Sequence, residues 1–169
     1  MSMRSFISIF FCIIVILMLL PASQPFAGEA DRKNAPFFSE RGPIEITSER
    51  LQADSNKNIA IFEGNVVAKQ GQTRLYARWM KVKYDKDGQV EEIHAKGEVR
   101  LVKLDRVVTS DEAVYFSNEG KIVFTGSPVA EDKKSTVRGS KMVYYIKDGR
   151  SIVENSTVLI KGKEEEKTR

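Results

Sequence analysis

The feature of this sequence that most constrains its fold is a period-two alternation of apolar and polar residues. Met80, Val82 and Tyr84 alternate with two lysines, and the pattern returns over residues 93–96 and 98–101. Successive side chains of a β-strand point to opposite faces, so this alternation predicts half-buried strands. Turn signals divide the strand patterns at Asn56–Asn58, Asp87–Gly88, Glu119–Gly120 and Asp148–Gly149. The sequence therefore predicts an all-β chain of short antiparallel strands.

An internal repeat becomes visible when Leu51, Met80, Ala113 and Met142 are aligned. Each is followed by a strand pattern, a turn signal, a second strand pattern and a closing residue, which is Gly64, Gly97, Gly126 or Asn155. A hairpin unit that cannot bury its own apolar face normally stacks on its neighbours into one continuous roll. We therefore expect an open β-roll built from about four hairpin units. A closed β-sandwich with a filled core is the alternative.

The N-terminus has the composition of an export signal. Arg4 supplies a positive charge, and the stretch from Phe6 to Leu20 is apolar except for Ser8. Residues 1–27 are predicted to be a cleaved signal peptide, with a cut as late as Ala30 also open. An uncleaved membrane anchor is the alternative, although the stretch is short for a span of about 20 apolar residues.

The rest of the 169-residue chain is long enough for one domain. Residues 28–42 contain Gly and Pro among polar residues and are predicted to be a flexible lead-in. Residues 43–160 carry the strand patterns and are predicted to form the domain. Residues 161–169 are almost wholly charged and are predicted to be a disordered tail.

The composition argues against catalysis and against nucleic acid as a partner. Cys12 is the only cysteine and lies in the predicted signal, while His94 is the only histidine. Cysteine–histidine dyads and multi-histidine zinc sites are therefore unavailable. Without the signal, 26 basic and 23 acidic residues are interleaved and give a net charge of +3, unlike a clustered basic face. We predict no catalytic residue, no metal site and no cofactor, hence no enzyme.

A series of short motifs resembles the organic-solvent-tolerance A family over about residues 43–160. The order and spacing of the motifs carry the resemblance more than any one of them. They are Leu51–Asp54, Phe62–Val66, Gln70–Gly71, Leu75–Ala77, Lys96–Val99, Phe124–Val129 and Val137–Lys141. The sequence departs from the family pattern at Gly97-Glu98 and Gly126-Ser127, where an asparagine often follows the glycine.

The resemblance implies a β-jellyroll, open along one side, that shelters the acyl chains of lipopolysaccharide between the inner and outer membranes of a Gram-negative envelope. The implied location is the periplasm, and the implied partners are the inner- and outer-membrane components of the transport machinery. An inner-membrane-anchored member of the same machinery remains open, as does a β-sandwich scaffold that binds no lipid.

Alternation from the repeat anchors predicts which side chains line the interior. These residues would form the lipid-binding groove, although they would suit a filled core equally well. They are Ile44, Ile46, Leu51, Phe62, Val66, Met80, Val82, Tyr84, Val99, Leu101, Ala113, Tyr115, Phe124, Met142, Tyr144 and Ile146. We expect them to enclose a channel that stays unfilled until acyl chains enter.

An open roll leaves unpaired strand edges, which we expect at about residues 44–47 and 157–161. Exposed edges accept strands from another chain. We therefore predict a head-to-tail homo-oligomer and edge contacts with the membrane-bound partners. The alternative is that the charged tails block these edges.

Overall fold

In the computed structural model, described for residues 42–162, the chain is a twelve-stranded antiparallel sheet. The predicted signal peptide, nearly all of the lead-in and the tail from residue 163 lie outside the described residues. Within the described residues, no helix has the length and apolar character needed to cross a membrane. The strands are β1 Glu45–Thr47, β2 Arg50–Asp54, β3 Ile59–Gln70, β4 Thr73–Tyr84, β5 Val90–Lys103, β6 Arg106–Phe116, β7 Lys121–Thr125, β8 Val129–Glu131, β9 Ser135–Arg138, β10 Lys141–Tyr145, β11 Ser151–Glu154 and β12 Thr157–Ile160.

The sheet is folded along a line that crosses its long strands, and this fold creates two facing layers. The first layer contains β2, β7, β10 and β11 with residues 59–63, 79–84, 90–96 and 112–116 of the long strands. The second layer contains β1, β8, β9 and β12 with residues 66–70, 73–77, 99–103 and 106–110. The long strands β3 to β6 therefore belong to both layers.

The fold line is made by corner residues with positive φ. Gly64, Gly97 and Gly126 have φ of 76°, 78° and 77°, and the last corner uses Asn155 with φ 50°. The ladder register shifts at this line in β3, β4 and β5. Glycine enters this backbone region without steric cost and asparagine tolerates it better than most residues, which explains why the closing residues of the sequence repeat are the corners of the roll.

Cross-strand rows of apolar side chains point into the space between the layers. The first-layer row runs through Leu51, Phe62, Met80, Ala95, Ala113, Phe124, Met142 and Val153. The second-layer row runs through Ile46, Ala68, Leu75, Leu101, Val108, Ala130, Val137 and Val158. The buried members of the two rows belong to one hydrophobic cluster. Burial of each large apolar side chain contributes roughly 1.5–3 kcal/mol.

The structure confirms the all-β open roll and the repeat register. Leu51, Met80, Ala113 and Met142 all lie in the first-layer row, so the aligned anchors occupy equivalent places. The predicted turns connect the hairpins of this layer. Other turns carry weaker sequence signals, such as Leu104-Asp105, where leucine has φ 55°. Leucine is not typical of tight turns, so the sequence did not predict a hairpin at this position.

Candidate functional site

An open groove of about 180 Å³ lies between the layers on the C-terminal side of the roll. Strands β6, β8 and β9 supply one wall, and β7, β10 and the start of β11 supply the other. The apolar residues that line it are Val107, Val108, Phe124, Ala130, Val137, Met142 and Tyr144. Polar residues at its rim are Arg106, Glu131, Asp132, Ser135 and Ser151, with Gly149 beside them. The groove is therefore an apolar trough with a polar margin.

The interior is narrower toward β4 and β5 than the sequence predicted. Met80, Val82 and Ala95 are almost completely buried by neighbouring side chains. A gap of only about 20 Å³ remains among Leu101, Phe124 and their neighbours. The expected unfilled channel along the whole interior is wrong for this part of the roll. A dry void would leave its lining without contact partners, so the side chains close over it.

Most of the predicted groove residues face the interior. Those that are buried are Phe62, Val66, Met80, Val82, Val99, Leu101, Ala113, Phe124, Met142 and Tyr144. Ile46, Tyr84, Tyr115 and Ile146 are partly buried against the same cluster. Of the whole predicted set, Phe124, Met142 and Tyr144 line the open groove.

Two predicted groove residues are exposed within one copy of the chain. Leu51 shares the register of Phe62 but remains 58% exposed, because β2 is the outermost strand of its layer in the described residues. Ile44 precedes β1 and is 42% exposed. Both residues lie at the N-terminal edge of the roll, so they are not shielded by the interior.

Sequence reasoning missed part of the groove wall. Ala130 and Val137 line the groove from β8 and β9, which are only three and four residues long. Strands this short cannot show a clear period of two, and they lie outside the aligned repeat units. The signal that could have found them is Pro128-Val129, which ends the bend after Gly126 and begins a new strand.

The end of the interior at the second-layer hairpins is polar. Thr73, Lys103 and Arg106 are register partners there, and Thr73 and Lys103 are each only 1% exposed. The Oγ1 atom of Thr73 has no hydrogen-bond partner among residues 42–162. A buried lysine was not part of the sequence prediction, because lysine at a strand end usually points to solvent.

The outer face of the first layer carries ion pairs and aromatic contacts. Glu112 accepts a hydrogen bond from His94 at 3.2 Å and lies 3.3 Å from Lys96 Nζ, and these two partners lower the pKa of its carboxyl. The ring of Trp79 meets the His94 ring edge-on, with centroids 5.8 Å apart. Trp79 is therefore packed against its neighbour strand on the side away from the groove.

The basic residues of β4 do not converge on a site. Arg74 and Arg78 are exposed, and Lys81 and Lys83 are partly or fully accessible on the outer face. Arg78 pairs with Glu98, and Lys83 Nζ lies 3.0 Å from Glu91. Partly neutralised outer lysines and arginines of this kind mainly solvate a sheet.

Four strands form the lateral edges of the described roll. β1 and β2 pair only with β3 on one side, while β11 pairs only with β10 and β12 only with β9 on the other. Large apolar side chains are exposed at these edges: Leu51, Ile152, Val158, Leu159 and Ile160, the last at 77%. Both apolar rows of the interior thus end at open strand edges.

The sequence matches the family model described as the LptA/(LptD N-terminal domain) LPS transport protein over residues 45–150. The chain belongs to this family. The matched residues run from β1 to the turn before β11, so the LptA/LptD N-terminal family match includes both layers and most of the groove wall.

A curated relative is the lipopolysaccharide export system protein LptH of Pseudomonas aeruginosa, which is 26% identical over 109 residues. That alignment covers 60% of this chain and 62% of LptH, so the chain spans less than two thirds of the relative's length. The crystal structure of LptH, described as the LptA-homologous periplasmic component of the lipopolysaccharide transport device, superposes with a TM-score of 0.65 and 19% identity. The superposition covers 71% of this chain and 96% of the LptH structure, and it establishes the shared LptA-type fold.

Proposed function

We propose that this protein binds lipopolysaccharide in the periplasm and carries its acyl chains between the two membranes. The observation that supports this function best is the continuous inward apolar face that opens into the groove beside Phe124, Met142 and Tyr144. Each methylene left in water costs about 0.8 kcal/mol, so a lipid with several acyl chains needs such a face to cross the aqueous space. The LptH relative is named as an export system protein for this lipid.

Binding in this proposal requires the two layers to separate. The groove of about 180 Å³ is smaller than the roughly 300–1,000 Å³ of ordinary ligand pockets. The two layers are joined at the corner residues, and the lateral edges of the roll are open. The layers can therefore separate at these edges without breaking the hydrogen bonds between paired strands. Met80 and Met142 lie inside the cluster, and methionine repacks readily around a new apolar surface.

The proposed role is non-catalytic, and the proposed route to the periplasm is a cleaved signal at residues 1–27. The Pseudomonas relative is a transport component, which supports the first point. Intact mass of the protein from the envelope tests the second. A mass that includes residues 1–27 would replace the soluble carrier with an anchored one.

Photo-crosslinking at two adjacent tyrosines tests lipid binding. Tyr144 lines the groove, whereas Tyr145 lies on the outer face, where the centroid of its ring is 4.1 Å from Cζ of Arg150. A benzophenone amino acid at position 144 should form an adduct with lipopolysaccharide in whole cells, and the same group at position 145 should not. Equal labelling at both positions, or none at position 144, would contradict a lipid-bearing interior.

We also propose that the edges join copies of the chain head to tail and join the chain to its membrane-bound partners. Leu51 and Ile46 end the apolar rows at one edge, and Val153 and Val158 end them at the other. A second copy added edge to edge would continue both rows and cover these side chains. The interior of successive copies would then form one longer apolar track.

Light scattering across a concentration series measures the mass of the protein in solution and thereby tests this assembly. Val158→Lys places a charge on the inward row at the edge and should keep the protein monomeric, because an inward-pointing charge opposes strand addition. Thr109→Lys, on the exposed outer face of β6, is the matched control and should leave assembly unchanged. A wild-type protein that stays monomeric at high concentration would remove the self-association part of the proposal.

A further inference from the structure

The groove lies against the C-terminal edge of the roll. The strand order is β2-β3-β4-β5-β6-β7-β10-β11 in the first layer and β1-β3-β4-β5-β6-β8-β9-β12 in the second layer. The groove is lined by β6 and by the strands that follow it in each order, as far as β9 and the start of β11. On the other side the interior is filled by Met80, Val82 and Ala95. An acyl chain in the groove therefore finds its nearest uncovered apolar surface at the open edge.

Apolar side chains of this edge stand uncovered beside the groove. Val158 and Ile160 of β12 are the register partners of Val137 and Ser135, which both line the groove. Val158 and Ile160 therefore point to the same inward face, yet they are 55% and 77% exposed. The groove of about 180 Å³ is also smaller than the roughly 300–1,000 Å³ of ordinary ligand pockets. One copy of the chain thus provides only part of an apolar enclosure.

The opposite edge carries apolar side chains that match these. Leu51 and Val153 are the two ends of the inward row of the first layer, and Ile46 and Val158 are the two ends of the row of the second layer. Ile44 lies two residues before Ile46, which places both side chains on one face of an extended chain. Leu51 is 58% exposed and Ile44 is 42% exposed. Each edge therefore leaves uncovered the side chains that would continue the rows of the other.

The strand directions allow both layers of two copies to join at once. Each layer contains eight strand segments within residues 42–162, and all neighbouring strands are antiparallel. Because eight is even, the first and last strands of each layer run in opposite directions. A second copy in the same orientation, displaced along the sheet, would therefore present β2 antiparallel to β11 and β1 antiparallel to β12. Leu51 of that copy would lie beside Val153 and cover the end of the groove.

We propose that the lipid-binding site is shared between two copies of the chain. The acyl chains occupy the groove of one copy and are covered by Leu51 and Ile44 of the next copy. This inference rests on the proposed lipid-carrying function, and it places one lipid-binding site at each joint between copies. Because the joint forms part of the site, lipid binding and self-association strengthen each other by the same factor.

Two variants that are each defective test the shared site by complementation. Ala130→Phe fills the groove with a phenyl ring and keeps its N-terminal edge, whereas Leu51→Gln keeps its groove and presents a polar side chain to its neighbour. The probe is fluorescently labelled lipopolysaccharide in a neutral detergent. Each variant alone should bind the probe at least about tenfold more weakly than wild type, which corresponds to about 1.4 kcal/mol. An equimolar mixture should recover the wild-type affinity at reduced capacity, because Leu51 of the Ala130→Phe copy covers the groove of the Leu51→Gln copy.

A matched control and a second edge variant accompany this pair. Ile152 is 44% exposed on β11, and its side chain points outward because Val153, the next residue, lies in the inward row. Ile152→Gln should therefore bind as wild type. Ile44→Gln should weaken binding and should be complemented by Ala130→Phe, as Leu51→Gln is. Leu51 and Ile44 are both exposed in a single copy, so the thermal unfolding of their variants should match that of wild type.

The outcomes separate this inference from the proposed function. If Leu51→Gln and Ile44→Gln bind as wild type, the shared site is refuted while the lipid carrier stands. If wild type does not bind the probe, the carrier itself is refuted. Defective variants whose mixture recovers no binding would also refute the shared site, because no neighbour then supplies the missing wall.

Light scattering in the same detergent gives an independent measurement. Lipopolysaccharide should lower the protein concentration at which the mass of wild type rises above that of a monomer, because the lipid binds the joined copies more tightly. The Leu51→Gln variant should show a smaller shift, and Ile152→Gln should show the wild-type shift. A lipid that leaves this concentration unchanged, or raises it, would refute the link between binding and assembly.

Discussion

The side chain of Asp111 lies directly against the α-carbon of Gly126, and the Asp111 N–H donates to the Gly126 carbonyl at 3.3 Å. The side chains of Glu49 and Arg78 lie against Gly64 and Gly97 in the same way. At each of these corners a side chain of one strand covers the backbone of the next. The glycine therefore serves two purposes, since it adopts a positive φ and leaves room for its neighbour.

Gly126→Ala should destabilise the fold by about 2–4 kcal/mol. A methyl group there would overlap Cβ of Asp111, and alanine at φ 77° is strained by about 1–2 kcal/mol before any clash is counted. Urea unfolding of the variant gives the change in free energy.

Gly120→Ala is the matched control for this corner. Gly120 has φ 56° in the β6–β7 turn, and an added Cβ would meet nothing within 4 Å. Its expected loss is only the backbone cost of about 1–2 kcal/mol. Equal losses for the two variants would show that the Asp111 contact adds nothing to the corner.

Glu98→Asn should stabilise the protein by about 0.5–1 kcal/mol. Glu98 follows the corner glycine with φ 52°, in the place that Asn65 occupies with φ 45° in the first unit. Asparagine tolerates this backbone region better than glutamate. The ion pair that Glu98 makes with Arg78 is highly exposed and contributes little. Glu98→Gln removes the same charge without the backbone preference, so it should leave the urea midpoint unchanged or slightly lower.

The corner geometry also explains which parts of the fold could be predicted from the sequence. Gly64, Gly97, Gly126 and Asn155 marked the repeat correctly, because a positive φ demands particular residues. The departures noted at Glu98 and Ser127 proved to be positive-φ positions as well, with φ 52° and 54°. The inward direction of the Met80 and Phe124 side chains followed from the alternation of apolar and polar residues, because successive side chains of a regular strand point to opposite faces.

The openness of the groove could not be predicted from alternation. The same inward row contains Met80, which is fully buried, and Met142, which lines the open groove, although both fit the same pattern. What separates them is the distance between two layers, and that distance depends on packing across the roll. The exposure of Leu51 could not be predicted for a related reason. The sequence pattern of a strand does not show whether another strand lies beside it and covers its side chains.

Ala130→Phe should abolish most lipid binding with little change in fold stability. Ala130 lines the groove and is partly exposed, so a phenyl ring can enter the open space instead of overpacking a closed core. We expect at least a roughly tenfold loss of lipopolysaccharide affinity, because the ring occupies the place of the acyl chain. Thr109→Phe, on the exposed outer face of β6, is the control and should bind as wild type. Unchanged affinity in Ala130→Phe would locate the lipid elsewhere.

Asp132→Asn should reduce stability near neutral pH and have little effect in strong acid. The backbone N–H groups of Lys134 and Ser135 bond to the Asp132 carboxylate and lower its pKa from 3.8. A carboxyl whose pKa is lower in the folded chain stabilises the fold above its unfolded pKa, and this contribution is lost as the pH falls through the folded pKa. The gap in urea midpoint between wild type and Asp132→Asn should therefore be largest near pH 7 and narrow toward about pH 2.5. Asp87→Asn, at an exposed turn, serves as the comparison. A gap that is the same at both pH values would mean that the charge of Asp132 contributes nothing beyond its shape as a hydrogen-bond acceptor.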